Sequence, residues 1–401
     1  MNEPSLRAAD ADIGIETDAV EIRVVTAAAE ISAEDWQALG VPGHPFLNRD
    51  FLDIVERTGV AGPEAGWQAL HLAATVDSRV VGLLPLYLKS HSYGDFIHDW
   101  NWSPVWERYG KRYYPKLVSG LPHTPVSGPR LLVAPHHPRP KTIRDLLLDA
   151  ARQLVADNDF SSWHVALGSE DEIAGLEARG LLVSHDVQFH WHDAGFGDFD
   201  GFLRSFSAEK RRKVRAERRR AAESGLSIRV RHGHEIAREE WPALHAIYRS
   251  TFDRFGNYPA FTVDCFAELA AALNDRMVVF SAHDGDDPVA LSLCFRSDDT
   301  LFGRYWGALR SVDSLHFELC FYQGITYCLR EGLSRFEPGA GGEHKIARGF
   351  APQIVRSAHW IADPGMRRII APYLARQQDG VGAYRDDAAA HLPYRKSEAS
   401  A

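Results

Sequence analysis

Apolar residues recur along the chain with two periods, and the switches between them outline a doubled series of elements. Alternation with period two over 21–26, 69–76, 79–89, 162–167 and 187–192 predicts strands in the first half. Helical spacing over 32–39, 48–58, 141–158 and 170–179 predicts helices between them, with Ser32 and either Asn48 or Asp50 as caps and Gly180 as a stop. The Asp77-Ser78 turn makes 69–76 and 79–89 a hairpin. In the second half strands are predicted at 226–232, 277–283, 289–296, 301–308 and 334–338, and helices at 207–224, 239–255, 262–273 and 316–332. Ser207 caps the first of these helices and Gly225 ends it. Both halves read as a strand, two helices, a hairpin and a closing helix and strand. Hairpins that alternate with helices build mixed, largely antiparallel sheets flanked by helices, an α/β (α+β) class.

Length supports the doubling, because 401 residues exceed what one hydrophobic core usually holds. Domains are expected at 20–195 and 196–378, with 1–19 a disordered leader, 207–224 a connecting helix and 379–401 a flexible tail. With 45% hydrophobic and 25% charged residues, the chain has the composition of an ordinary globular protein. Its first residues carry several acids and no apolar h-region, which predicts no secretory signal, and no apolar run approaches the roughly 18 residues that span a bilayer. Cys265, Cys294, Cys320 and Cys328 lack metal-type spacing and read as reduced core residues of a cytoplasmic protein.

Charge alters this picture at one place. The net charge of −9 conceals the run KRRKVRAERRR at 210–220, whose eight bases and single acid form one cationic element on an acidic body. Lys210, Arg211, Arg212, Arg215 and Arg219 are candidate contacts for the phosphates of an anionic donor; the competing reading is a solvated helix. His190 and His192 alternate on one strand face, and His136-His137 sit between prolines, but no further ligand stands at zinc-like spacing, so no metal site is expected.

The segment FEPGAGGEHKIARGFAP at 336–352 resembles the FemAB-like branch of the GNAT acyltransferase superfamily, in which a Gly-rich turn leads into a K-x-x-[FR]-G-F element. Lys345, Arg348, Gly349 and Phe350 match that element. The resemblance extends to 100–132 and to FGRYWGAL at 302–309, and covers roughly 20–376. It implies two tandem GNAT-like domains. It also implies an N-acyltransferase that moves an acyl or aminoacyl group from acyl-CoA or aminoacyl-tRNA, with no tightly bound cofactor. The acceptor is then a small or peptide-like amine, and tRNA and membrane-linked precursors contacted peripherally are candidate partners. One departure bears on the donor: where acyl-CoA enzymes of this fold carry a Gly-containing pyrophosphate loop, 309–316 reads LRSVDSLH and has no glycine.

Acyl transfer to an amine requires a polarised carbonyl, a base and a site closed to water. Lys345, beyond the Gly-rich turn, is the candidate for the first, and the resemblance implies a functional lysine there. Glu318 and Glu343 compete as base, with His344 beside the latter. Arg304, Tyr305 and Trp306 are candidate substrate contacts on one strand, where alternation would send Arg304 and Trp306 to one face and Tyr305 to the other. Tyr322 lies on the following helix. In the first half His98, Asp99, Trp100 and Trp102, with Tyr113, Tyr114 and Lys116, read either as a grip for a polar acceptor or as packing. An alternative of another class is a catalytically inactive GNAT-like module that holds RNA or a phospholipid surface through the basic helix.

Overall fold

The computed structural model describes residues 20–41 and 43–395, so the expected leader 1–19 and the last residues, 396–401, lie outside it. Strands in the first half are β1 (Glu21–Val25), β2 (Trp67–Ala69), β3 (His71–Val76), β4 (Arg79–Leu84), β5 (Tyr87–Lys89), β6 (Lys116–Ser119), β7 (Leu132–Val133), β8 (Ser162–Gly168) and β9 (Leu182–His192). Helices are α1 (Ala33–Ala38), α2 (Arg49–Arg57), α3 (Ser103–Arg108), α4 (Pro140–Asp157) and α5 (Glu170–Ala178). Two of the expected caps act through their side chains: Ser32 Oγ accepts from Asp35 N at 3.0 Å, and Asn48, rather than Asp50, accepts from Asp50 N at 2.8 Å, whereas Ser207 stands at the start of the helix Ala208–Glu223 without a side-chain capping bond.

The expected hairpin is split between two sheets. Asp77 and Ser78 both take positive φ and join β3 to β4 antiparallel, in the order β1-β3-β4-β7. Pro85 follows β4, and the chain then leaves that sheet. Beyond it β5 pairs with β2 and β6, β6 runs parallel to β8, and β8 pairs antiparallel with 356–361 near the far end of the chain. Against the first sheet α4 buries Ile143, Leu147 and Leu154 at helical spacing among Leu72, Ala74 and Leu84. Each such side chain contributes about 1.5–3 kcal/mol on burial.

The second half adds α6 (Phe199–Arg204), α7 (Ala208–Glu223), β10 (Ser227–His232), α8 (Trp241–Phe255), α9 (Val263–Leu273), β11 (Met277–Asp284), β12 (Asp287–Arg296) and β13 (Thr300–Ala308). A helix in three parts follows: α10 (Leu315–Phe317), a π turn at Glu318–Tyr322, and α11 (Gln323–Glu331). Then come β14 (Arg335–Glu337), β15 (Ala351–Ile361) and α12 (Pro364–Ala390). The strands run β10-β11-β12-β13-β14-β9, antiparallel except for the parallel β13–β14 pair. On β13, Gly307 makes close approach possible: a Cβ there would stand 1.9 Å from Ile247 O on α8. Gly307→Ala is expected to lower stability by about 1–3 kcal/mol, because backbone rather than a side-chain tip must yield. An unchanged denaturant midpoint would count against that contact.

The two compact units do not divide at 195/196. One comprises 20–41 with Phe46–His185 and Val355–Gln378; the other comprises Gly43–Pro45, Asp186–Ile354 and residues 379–395. The boundaries fall inside β9, β15 and α12, because these elements outrun the patterns that mark them in sequence. The start of β9 is half-buried and polar at Ser184, His185 and Asp186, which hides its alternation. The expected flexible tail is helical as far as Ala390, with Pro372 inside the helix. Gln377 takes a hydrogen bond from His185 N at 3.0 Å, Gln378 donates to Val183 O at 2.7 Å, and Tyr394 donates to Gly349 O at 2.6 Å. Nor is α7 a connector, since it buries Val214, Glu217 and Ala221 along one stripe within the second unit.

Candidate active site

A bulge on β13 starts the site. Leu293 pairs with Tyr305 and Cys294 with Gly303, so Arg304 is the inserted residue. The insertion interrupts the pleat, and Arg304, Tyr305 and Trp306 all line one pocket of about 240 Å³. The Tyr305 ring packs on Tyr248 and Phe266 and the Trp306 ring on His316, so alternation holds between those two, and only Arg304, with a guanidinium nitrogen 3.4 Å from the Tyr305 hydroxyl, departs from it. Opposite stand the helix with its π turn, contributing His316 and Cys320, and the Gly-rich turn after β14, which leads through a 3-10 segment to His344 and Lys345. Gly342 has φ 91°, and a Cβ there would stand 2.7 Å from the His344 ring, so the turn needs glycine for conformation and for space.

Lys345 is 3% exposed and donates to Gly339 O at 2.7 Å and Ala340 O at 3.3 Å. Burial lowers its pKa from 10.5 to about 8, slightly opposed by the Cys320 thiol. Burial also lowers His316 to about 4, with help from His344 and the cations Arg348 and Lys345. His344 is shifted down for the same reasons, burial first and then Lys345 and Arg348. Near neutral pH the pocket therefore presents an ammonium and two uncharged imidazoles, one a proton donor and the others acceptors. Burial pushes the Cys320 thiol well above its usual range, so it is no ready nucleophile.

Arg348 braces this loop. Its guanidinium donates to His344 O at 2.6 Å and to Glu217 on α7 at 2.7 Å, and stacks 3.3 Å from the Phe317 ring. Tyr322 OH donates to the other Glu217 oxygen. Tyr322 is thus fully buried and bound to Glu217, outside the residues that line the pocket. Glu318 is withdrawn too, receiving Arg218 at 3.1 and 3.2 Å and Gln323 at 2.8 Å. Glu343 is exposed and accepts from Tyr384 at 2.9 Å. Neither carboxylate lines the pocket, whereas His344 does. Sequence reasoning missed His316, whose only signal was its place at the start of a helix after a candidate strand.

The aromatic cluster of the first unit is mostly scaffold. Asp99 and Lys116 are fully buried and paired; Lys116 also meets Asp95 at 2.9 Å, and Asp99 accepts from Ser92 at 2.6 Å and from Tyr113. Burial pushes the Asp99 carboxyl up, but Lys116 and His164 more than offset this and hold it below the usual range. Tyr114 reaches Ser92 at 2.8 Å, while Trp100 is 53% exposed and packs edge-on against Tyr93. On α7, Lys210 and Arg211 are half-buried, Arg212, Arg215 and Arg219 are exposed, and Arg215 lies 3.7 Å from Asp200. None of these lines the pocket. Among the described residues no group of three or more His, Cys, Asp or Glu could hold a metal ion, and no helix is long and apolar enough to cross a membrane.

The FemAB-like family, described as peptidoglycan biosynthesis/recognition, matches residues 27–396. Three of the solved structures that resemble the chain illustrate its fold. L-PGS from Bacillus licheniformis has a TM-score of 0.53 at 11% identity, over 86% of this chain and 97% of that one. The C-terminal domain of a putative lysylphosphatidylglycerol synthetase from Agrobacterium fabrum has 0.53 at 9%, over 85% and 96%. FemX has 0.50 at 13%, over 88% and 100%. No curated protein matches by sequence.

Proposed function

The chain belongs to the FemAB-like family of peptidoglycan biosynthesis and recognition, and from that premise we propose that its second unit transfers an acyl or aminoacyl group to an amine. The observation that carries this reading is the buried Lys345 ammonium at the wall of a small pocket that also holds two neutral imidazoles. An amine attacks the donor's carbonyl carbon, and the oxygen gains charge as the tetrahedral adduct forms. Lys345 stabilises that oxyanion, at a site where low polarity strengthens the attraction. His344 or His316 accepts the proton the attacking nitrogen sheds, a role that falls to them because Glu318 and Glu343 are tied elsewhere. Collapse of the adduct expels a thiolate from acyl-CoA, or a ribose oxygen from aminoacyl-tRNA, and leaves an amide. The exposed arginines of α7 suit either polyphosphate donor, while the glycine-free connection at 309–316 favours the aminoacyl one.

The test is amine-dependent release of free thiol or deacylated tRNA by the purified protein over panels of both donors. Release from neither donor with any amine overturns the reading. The pH profile gives a second check. The imidazole must be neutral and Lys345 protonated, so kcat/KM is expected to rise through a value below 6.5 and to fall through about 8. A profile flat across that window removes both assignments.

A further inference from the structure

We propose that the first unit carries a ligand site of its own, a cleft between α4 and α5 that takes a cationic amine with an apolar body. The cleft lies wholly within that unit, shares no residue with the pocket around Lys345, and does not depend on the acyl-transfer reading. Its volume of about 510 Å³ is in the range of small-molecule sites. The two helices line it from facing sides. Arg144, Asp145 and Leu148 lie on one broad face of α4, and Asp171, Glu172, Gly175 and Leu176, with Arg179 at the C-cap, on one face of α5. Gly175 sits in the middle of its face. A Cβ added there would meet no atom within 4 Å, so no neighbouring group of the protein requires the glycine. Glycine inside a helix is less stable than almost any other residue, and its effect here is to leave the cleft unfilled. Leu131, Leu148 and Leu176, all members of the unit's core, give the cleft its apolar surface.

Charge selects the head group. Three carboxylates and two guanidiniums line the cleft, which leaves it net negative. Arg179 and Asp145 bind each other. Glu172 accepts from the backbone amides of Arg130 and Leu131 at 3.0 and 2.7 Å. Burial nevertheless raises its pKa, and Arg130, those two amides and Arg144 do not offset the rise, so a negative charge at Glu172 lacks compensation that a bound cation would supply. Asp171 is exposed and makes no hydrogen bond or ion pair with the described residues, which leaves its carboxylate available to an ammonium. An anion meets the opposite case. The first turn of α5, where helix amides would attract one, already carries Glu170, Asp171 and Glu172. A ligand with an ammonium head is therefore drawn in and one with a carboxylate head repelled.

The test is calorimetric titration of the full chain with octylamine and with octanoate, which share an apolar body and differ in the sign of the head. Saturable binding of octylamine at one site per chain, at least about tenfold tighter than that of octanoate, supports the proposal if it weakens about threefold or more in Asp171→Asn and about tenfold or more in Gly175→Met. Methionine favours the helix and fills the cleft, so the melting temperature of Gly175→Met should hold or rise, and binding lost there is not unfolding. Should that variant melt early, Asp171→Asn decides alone. Octanoate bound within tenfold of octylamine, a smaller loss in the deciding variants, or no saturable binding of octylamine overturns the proposal. Because no turnover is involved, amine binding by a protein that transfers nothing would sink the acyl-transfer reading and leave this site standing. Transfer without amine binding at the cleft would do the reverse.

Discussion

Replacing Lys345 with methionine is expected to lower the transfer rate by about 10²–10³-fold while the melting temperature holds or rises, the loss typical of removing one oxyanion donor. Methionine keeps the length and much of the volume of the lysine side chain. It forfeits the two hydrogen bonds to the Gly-rich turn, but it also removes a charge whose burial is unfavourable, as the depressed pKa shows. A linkage measurement separates the two roles. Between about 8 and 10.5 the unfolded lysine holds a proton that the folded one has released, so stability of the wild type should rise with pH across that window. In Lys345→Met that rise should vanish. Full turnover in a folded Lys345→Met protein would end the assignment, whatever the family suggests.

Lys116→Met should give the largest loss of stability, about 3–5 kcal/mol, because it leaves Asp95 and Asp99 buried without their cation. For a unit of this size that is on the order of 10 °C in melting temperature. The pH dependence has a definite sign. Without Lys116, burial raises both carboxyl pKa values, so the folded variant takes up protons more readily than the unfolded chain and gains stability as pH falls. The gap to wild type should therefore narrow between pH 7 and about 4. Adding Asp99→Asn should recover part of the loss, since the pair is coupled. If Lys116→Met melts with the wild type, the buried cluster is not the brace of the 92–116 loop.

What the sequence disclosed follows from which signals are local. Caps at Ser32 and Asn48, the Asp77-Ser78 turn and the apolar stripe of α4 are set by neighbours a few residues away, and they stand where expected. The Gly-rich turn with Lys345 was legible for the same reason. Long-range pairings were not: Glu217 with Arg348, Glu318 with Arg218 and Asp99 with Lys116 convert apparent reactive groups into struts, and nothing within a turn of each residue announces the partner. The bulge at Arg304 is equally silent, because an extra residue in a strand leaves composition and hydropathy unaltered. Polar residues at the start of β9 and a proline within α12 concealed the rest.

The first unit is not contiguous, and this matters for its synthesis. Its strand β8 takes as partner the segment 356–361, and the unit is complete only when Gln378 has been made. After His185 the ribosome must add roughly 190 further residues, which takes on the order of 10–40 s at ordinary rates. Throughout that interval one edge of β8 has no ladder to join, an invitation to pair with a neighbouring nascent chain. Production at lower temperature or with added holdase chaperone should raise the soluble yield, and a circular permutant that begins near Val355 should need neither.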